Sequence, residues 1–235
     1  MQRAIGRVLS PLWVPVTTAV MRVGFGWTIE GVAETRRTYR ELCRSRSARL
    51  VCANHLTLVD SAVIAWALGS SGWFLLHYAT LPWNVPEREN FAFSVVSRLV
   101  TYVMKCVPIT RGGDRAAVGR VLARLVYLLE RGETVLVFPE GGRSRSGAVD
   151  LENAAYGVGR VIAALPECDV LCVYLRGERQ KGYSDLPATG ERFRVRVESF
   201  RPTSALRGMR RARDLAQQVV GRLAALERQH FTEAR

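Results

Sequence analysis

His55 and Asp60 are the residues best placed to do chemistry, five positions apart in the stretch Asn54-His55-Leu56-Thr57-Leu58-Val59-Asp60. Neutral imidazole is the side chain best suited to take a proton near pH 7, and it works best when a carboxylate holds its other ring nitrogen. On one continuous helix this offset would turn the two side chains roughly 140° apart. They meet only if the chain turns between them. Residues 48–53 are an apolar run that reads as a buried strand, and residues 61–68 are a helix-forming segment stopped by Gly69. His55 therefore falls in the turn and Asp60 near the helix start. The same pair also suits a structural histidine beside a capping aspartate, so this stretch alone leaves both readings open.

A second stretch adds weight to chemistry. Residues 134–138 form another buried-strand run and end in Pro139-Glu140-Gly141-Gly142-Arg143-Ser144-Arg145-Ser146-Gly147. Open α/β sheets place ligands at such strand ends, glycines admit a close backbone approach, and guanidinium forks suit phosphate. Between the two lies Val107-Pro108-Ile109-Thr110-Arg111, a third strand end that carries a lone arginine.

Taken together, these three blocks resemble those of the glycerolipid acyltransferases: N-H-x-x-x-x-D, an arginine after an apolar strand, and F-P-E-G-T-R-S. The resemblance covers residues 48–176, with two departures. Gly142 stands where the family has threonine, and the later apolar block, residues 170–175, lacks its proline. The resemblance implies direct transfer from an acyl thioester to a hydroxyl, without a covalent intermediate or a cofactor. His55 would take the hydroxyl proton and Asp60 would orient His55. Arg111 and Arg143 would hold the acceptor's phosphate, with Glu140, Gly141 and Gly142 completing the cradle. Acyl-CoA or acyl-carrier protein would be the co-substrate, and a lysophospholipid the acceptor, with 1-acylglycerol-3-phosphate and phosphatidic acid as the first expectation. The departures concern the acceptor side, so a lyso-ornithine or other specialised lipid is the alternative, followed by a non-catalytic lipid-binding relative. Arg145 either reaches the phosphate or faces water. Lys181 and Tyr183 line the acceptor end or an ordinary loop. Trp66, Trp73, Trp83, Phe91 and Phe93 belong to an acyl pocket or to the core, and Cys52 to the core.

The elements that must position these residues alternate regularly. Strands are expected at 73–78, 105–109, 134–138 and 170–175, and helices at 86–104, 114–131, 153–165 and 204–229. An edge strand is expected at 193–199, where Phe193, Val195 and Val197 alternate with charged residues. The pattern predicts an α/β fold, a single domain with a mixed, largely parallel sheet flanked by helices. An N-terminal membrane-interface helical segment precedes it, dividing the chain into an anchor at 1–30 and an acyltransferase domain at 31–235. Pro11, Pro15 and Arg22 interrupt residues 1–29, which argues against a spanning helix and a signal peptide and for an interfacial anchor, or else a helix packed on the domain.

The formal charge of +13 comes from 34 basic and 21 acidic residues and calls for an anionic partner. No nucleic-acid-binding module is present, so an anionic membrane surface or a phosphorylated substrate is the expected partner. Arg36, Arg37, Arg40, Arg44, Arg46 and Arg49 form a basic run suited to lipid headgroups. Five cysteines without disulfide-like or metal-ligand spacing point to reduced thiols, no metal site, and the cytoplasmic face of a membrane, peripheral or monotopic.

Overall fold

The computed structural model describes residues 1–91, 94–110, 112–152 and 154–233. Its centre is β2 (Ala48–Ala53), with β5 (Cys168–Gly177) on one side and β4 (Thr134–Val137) on the other, both parallel to it. Strands covered on both faces read as continuous apolar runs, because alternate side chains enter opposite cores. Leu50, Cys52 and Val135 face one core, and Val51, Ala53 and Leu136 the other. With β1 (Thr28–Glu30), β3 (Trp83–Asn84) and β6 (Arg192–Phe200), the described residues form one six-stranded sheet in the order β1-β6-β5-β2-β4-β3. Only the β5–β6 pair is antiparallel.

The first core lies under α7 (Arg115–Glu130), α8 (Tyr156–Ala164) and α9 (Gly208–Glu233). The second lies under α1 (Gln2–Ala19), α2 (Val32–Arg44), α3 (Asp60–Leu68) and α4 (Ser71–Leu76). Asp114 caps α7 by accepting from Ala117 N–H at 3.0 Å, as its position before the helix predicts.

Several expectations are corrected. Residues 73–78 are not a strand but belong to α4 and a 3-10 turn at Tyr78–Thr80, because Ser70 Oγ accepts from Trp73 N–H and starts a helix. A short apolar run does not distinguish the two forms. His77 is accordingly an exposed residue stacked on Trp73 rather than a packed strand residue. The strand expected at 105–109 is reduced to single bridges from Cys106 to Asn84 and from Ile109 to Glu87, and Lys105 leaves extended geometry at φ 55°. The helix expected at 86–104 is two, α5 (Arg88–Phe91) and α6 (Val95–Val103), the second opened by a Ser94–Ser97 capping box. Phe93 lies outside the described residues, as does Asn153 at the start of the helix expected over 153–165. The alternating strand β6 is not at the edge. It carries β1 outside it, and its polar side is spent on ion pairs of Arg194 with Glu30 and Glu178 and of Arg196 with Glu233.

In the N-terminal segment it is the expected interruption that is corrected. Pro11 and Pro15 lie inside α1, which runs on into a π-helical turn at Val20–Gly24. Pro11 cannot donate to the Arg7 carbonyl, and Ser10 Oγ–H supplies that bond at 2.7 Å. Gln2–Gly24 is thus a helix long and apolar enough to cross a membrane. Its inner face is built from Gln2, Gly6, Ser10 and Val14, while Val8, Leu12, Val16, Val20 and Val23 are exposed. A Cβ on Gly6 would stand 2.5 Å from Tyr78 Oη and 2.8 Å from the Val103 carbonyl, so glycine sets how closely α1 approaches α6. Trp27, expected in the anchor, is instead buried, its indole N–H donating to the Ala188 carbonyl at 2.9 Å. The basic run is also divided. Arg37, Arg44 and Arg46 are exposed, but Arg49 is buried and donates to the Gly132 carbonyl.

Candidate active site

The turn between β2 and α3 brings His55 and Asp60 together. His55 Nδ1 lies 3.1 Å from Asp60 Oδ2, and both residues are buried. Asp60 is itself held by the turn: Oδ2 accepts from Leu56 N–H at 2.6 Å and Thr57 N–H at 2.8 Å, and Oδ1 from Thr57 Oγ–H at 2.5 Å. The carboxylate therefore braces the turn and partners the imidazole at once; it does not cap α3, whose N-cap residue is Val59 and carries no side-chain cap bond, so the capping alternative is not realised. A carboxylate on Nδ1 selects the tautomer protonated there and leaves Nε2 as the basic nitrogen. The imidazole is fixed from its face as well, stacked on Phe138 with centroids 3.9 Å apart and planes 11° from parallel.

Three loops at the carboxyl ends of β2, β4 and β5 converge here, where an open parallel sheet places its ligands. Asn54 extends the β2–β5 ladder beyond its end, its amide bonding Leu175 N–H and carbonyl at 2.8 and 2.9 Å. Ser144 N–H donates to the His55 carbonyl at 2.8 Å, and Ser184 N–H to the Leu56 carbonyl at 3.0 Å. The His55 loop is thereby tied to both neighbours.

Arg143 and His55 line the same narrow niche, together with Leu58, Ser61, Phe91 and Phe138. Arg143 Nη1 donates to the Ser184 carbonyl at 3.0 Å and to Asp185 Oδ1 at 2.7 Å, and its guanidinium sits over Tyr183 at 5.5 Å. Asp185 is largely exposed, so this pair contributes little to stability. Tyr183 thus touches the site through Arg143, whereas Lys181 does not line the niche and Arg145 faces water. Arg111 lies outside the described residues.

Glu140 does not line the niche, although its carboxyl lies near the His55 backbone. Its Oε2 accepts from Asp150 N–H at 3.2 Å, and Oε1 is buried without a partner. Burial pushes its carboxyl up to about 7, with the carboxylates of Glu227 and Asp150 adding to the rise against backbone hydrogen bonds. Gly141 turns the chain at φ 70°, a conformation that favours glycine, and Gly142 is half-buried beside it.

Beyond the niche, on the α1–α3 side, an apolar cavity of about 390 Å³ shares Leu58, Ser61, Asn84, Pro86 and Phe91 with it. Trp66 and Phe91 line this cavity, Trp83 is core, and Trp73 does not line it. Cys52 is likewise core. Phe138, Asn54, Thr57 and Asp185 carry parts of the geometry that sequence reasoning missed. Asn54 and Thr57 stood inside the quoted block, while nothing local marked Asp185. A family model described as Acyltransferase matches residues 34–189, more than half of the chain and all of this constellation. No curated protein matches the chain.

Proposed function

We propose a specific reaction for this chain, which belongs to the acyltransferase family: transfer of a fatty acyl group from acyl-CoA or acyl-carrier protein to the hydroxyl of a lysophospholipid, foremost 1-acylglycerol-3-phosphate, giving phosphatidic acid. The observation that carries it is the oriented His55–Asp60 pair beside Arg143, at the mouth of an apolar cavity. His55 Nε2 takes the proton of the acceptor hydroxyl as its oxygen bonds to the thioester carbonyl carbon. The tetrahedral adduct collapses, the C–S bond breaks, and the leaving thiolate receives that proton from the imidazolium. Asp60 stabilises the transient positive charge and keeps the ring in register. Arg143, with Arg111, pairs with the acceptor phosphate, and the Gly141–Gly142 turn and Glu140 shape the loop that presents it.

The exposed apolar side of α1, flanked by Arg7 and Arg22, suits association with an anionic membrane, and the reading places the enzyme on its cytoplasmic face, peripheral or monotopic. No nucleic acid is involved. A second reading, the same chemistry on an acceptor without phosphate such as a lyso-ornithine lipid, draws on Gly142 and on the Asp185 carboxylate already seated on Arg143.

Arg143→Ala and Arg143→Lys, with the same changes at Arg111, separate the two. Against lysophosphatidic acid, loss of one fork costs about 2 to 5 kcal/mol in kcat/KM, and lysine recovers part of it. Against an uncharged monoacylglycerol the loss is small. Equal small losses on both acceptors, at low and high salt, overturn the phosphatidic acid reading and leave the second in front.

A further inference from the structure

The reaction just proposed needs two chain-bearing substrates at one imidazole, and among the described residues two apolar cavities adjoin the His55 niche, on opposite faces of the sheet. The first is the α1–α3 cavity. The second, about 320 Å³, lies between α7 and α8 and is lined by Leu50, Val118, Leu122, Val137, Gly157 and Val158, among others. Leu50 and Val137 project to the face opposite Leu136, which lines the first cavity. Val85 and Phe138 line both this second cavity and the His55 niche, so the ring that stacks on the imidazole also walls the cavity behind it.

Resting on the proposed reaction, we infer that the α7–α8 cavity takes the acceptor's own apolar chain, and the α1–α3 cavity the donor's acyl chain. The assignment follows from what each cavity adjoins. The second one abuts Ile109, Thr110 and Gly112 and also Pro139 and Gly141, the two loops that carry the arginines assigned to the acceptor phosphate. A lysolipid with its phosphate on those loops has its chain beside this opening. The first cavity adjoins none of those residues; it reaches the niche through Leu58, Ser61 and Phe91, which line that niche together with His55. A site of this kind selects a single-chain amphiphile over a water-soluble glycerol phosphate, because burying the chain contributes binding free energy that the soluble acceptor lacks.

Photolabelling of the full chain in detergent tests this directly. Two probes are used, a lysophosphatidic acid and an acyl-CoA, each with a diazirine at the chain terminus, and the labelled residues are read by mass spectrometry. The lysophosphatidic acid probe is expected on Val118, Leu122 or Val158, and the acyl-CoA probe on Ala65 or Trp66. Reversed labelling, or both probes in one cavity, overturns the assignment. In parallel, Val118→Trp and Gly157→Leu should raise KM for long-chain lysophosphatidic acid at least tenfold and leave that for a short-chain one within about twofold. A Cβ on Gly157 meets only ordinary contact, 3.5 Å from Leu122 Cδ2, so that variant keeps the test alive if the tryptophan disturbs folding. Equal effects on both chain lengths overturn the inference. Labelling needs no turnover, so failure of the acceptor reading, seen as absence of product, is distinct from failure of the cavity assignment.

Discussion

Two buried acid–base pairs lie among the described residues, and of these two one keeps a bonding atom open toward a cavity. His55 and Asp60 are five residues apart in one turn. Lys105 and Glu133 are 28 apart and meet across the fold at 2.6 Å. Lys105 Nζ also donates to the carbonyls of Tyr78 at 3.0 Å and Leu81 at 2.6 Å, so its three donors are all spent. Glu133 takes Trp83 Nε1–H at 2.8 Å and Arg3 Nε–H besides. Burial lowers the Lys105 ammonium to about 8 against the pull of Glu133. Burial works to raise Glu133, but Lys105 and the other donors hold it below the usual carboxylate range. The fully satisfied pair fastens Lys105, Trp83 and the start of α1 together. The His55 pair spends one ring nitrogen and keeps the other. A perturbed, buried ion pair is thus not by itself a sign of chemistry; unspent bonding capacity facing a cavity is the better sign.

The largest expected effect breaks the catalytic side of this comparison. His55→Ala should lower kcat by at least about 10²-fold, the low end of what a general base contributes. It should cost only about 1 kcal/mol of stability, from the stacked ring that leaves Phe138. Asp60→Asn should lower kcat as well, since an amide cannot stabilise the imidazolium as a carboxylate does. Single-turnover rates together with urea denaturation check both variants. A folded His55→Ala enzyme with near wild-type turnover would sink the proposed mechanism.

Next in size is the opposite change. Glu133→Ala strands a buried ammonium among carbonyls and should cost about 3 to 5 kcal/mol of stability, as removal of one partner of a buried pair does. Turnover of the fraction that remains folded should stay within about threefold of wild type. Lys105→Met with Glu133→Leu replaces the pair by apolar groups and should recover most of the loss, leaving Trp83 Nε1 and Arg3 without their acceptor. If instead Glu133→Ala melts normally and loses kcat, the distinction drawn between the two pairs is wrong.

The same contrast explains what could be read from the chain. The His55–Asp60 contact needs two residue types at a fixed offset on one turn, and the central strands carry apolar runs at 50–53, 135–137 and 170–175, so both were legible. The Lys105–Glu133 pair has no local signature, because its members are joined only by the fold. Residues 73–78 misled because a short stretch with five apolar residues in six suits a strand as well as a short helix, and the Ser70 cap decides between them. Pro11 and Pro15 misled because the Ser10 hydroxyl that satisfies Arg7 acts through geometry, not pattern. Asp185 was invisible for the opposite reason: a lone exposed carboxylate in a loop gains meaning only from the guanidinium it faces.

Glu140 stands between the two pairs and gives the smallest, most pH-sensitive expectation. Unlike Glu133 it is only half-buried, yet its Oε1 is shielded from water without a partner and no cation offsets its charge. Its carboxyl is therefore raised from 4.5 to about 7 in the folded protein. A raised folded value means that the native state binds the proton more tightly than the unfolded chain does. The stabilisation from that proton is complete below the unfolded value and is lost as pH rises through the folded one. Glu140→Gln keeps an uncharged, hydrogen-bonding side chain at every pH and so removes this dependence. The variant should gain about 1 to 3 kcal/mol relative to wild type between pH 5 and pH 8, a range set by the size of the shift and discounted for partial solvent access. Taking the difference between the two proteins cancels the other groups that titrate over this range. Urea denaturation of both at pH 5 and pH 8 measures it. A wild-type-minus-variant difference that does not move with pH would mean that Glu140 stays ionised throughout, with its loop supplying the partner that its second oxygen lacks.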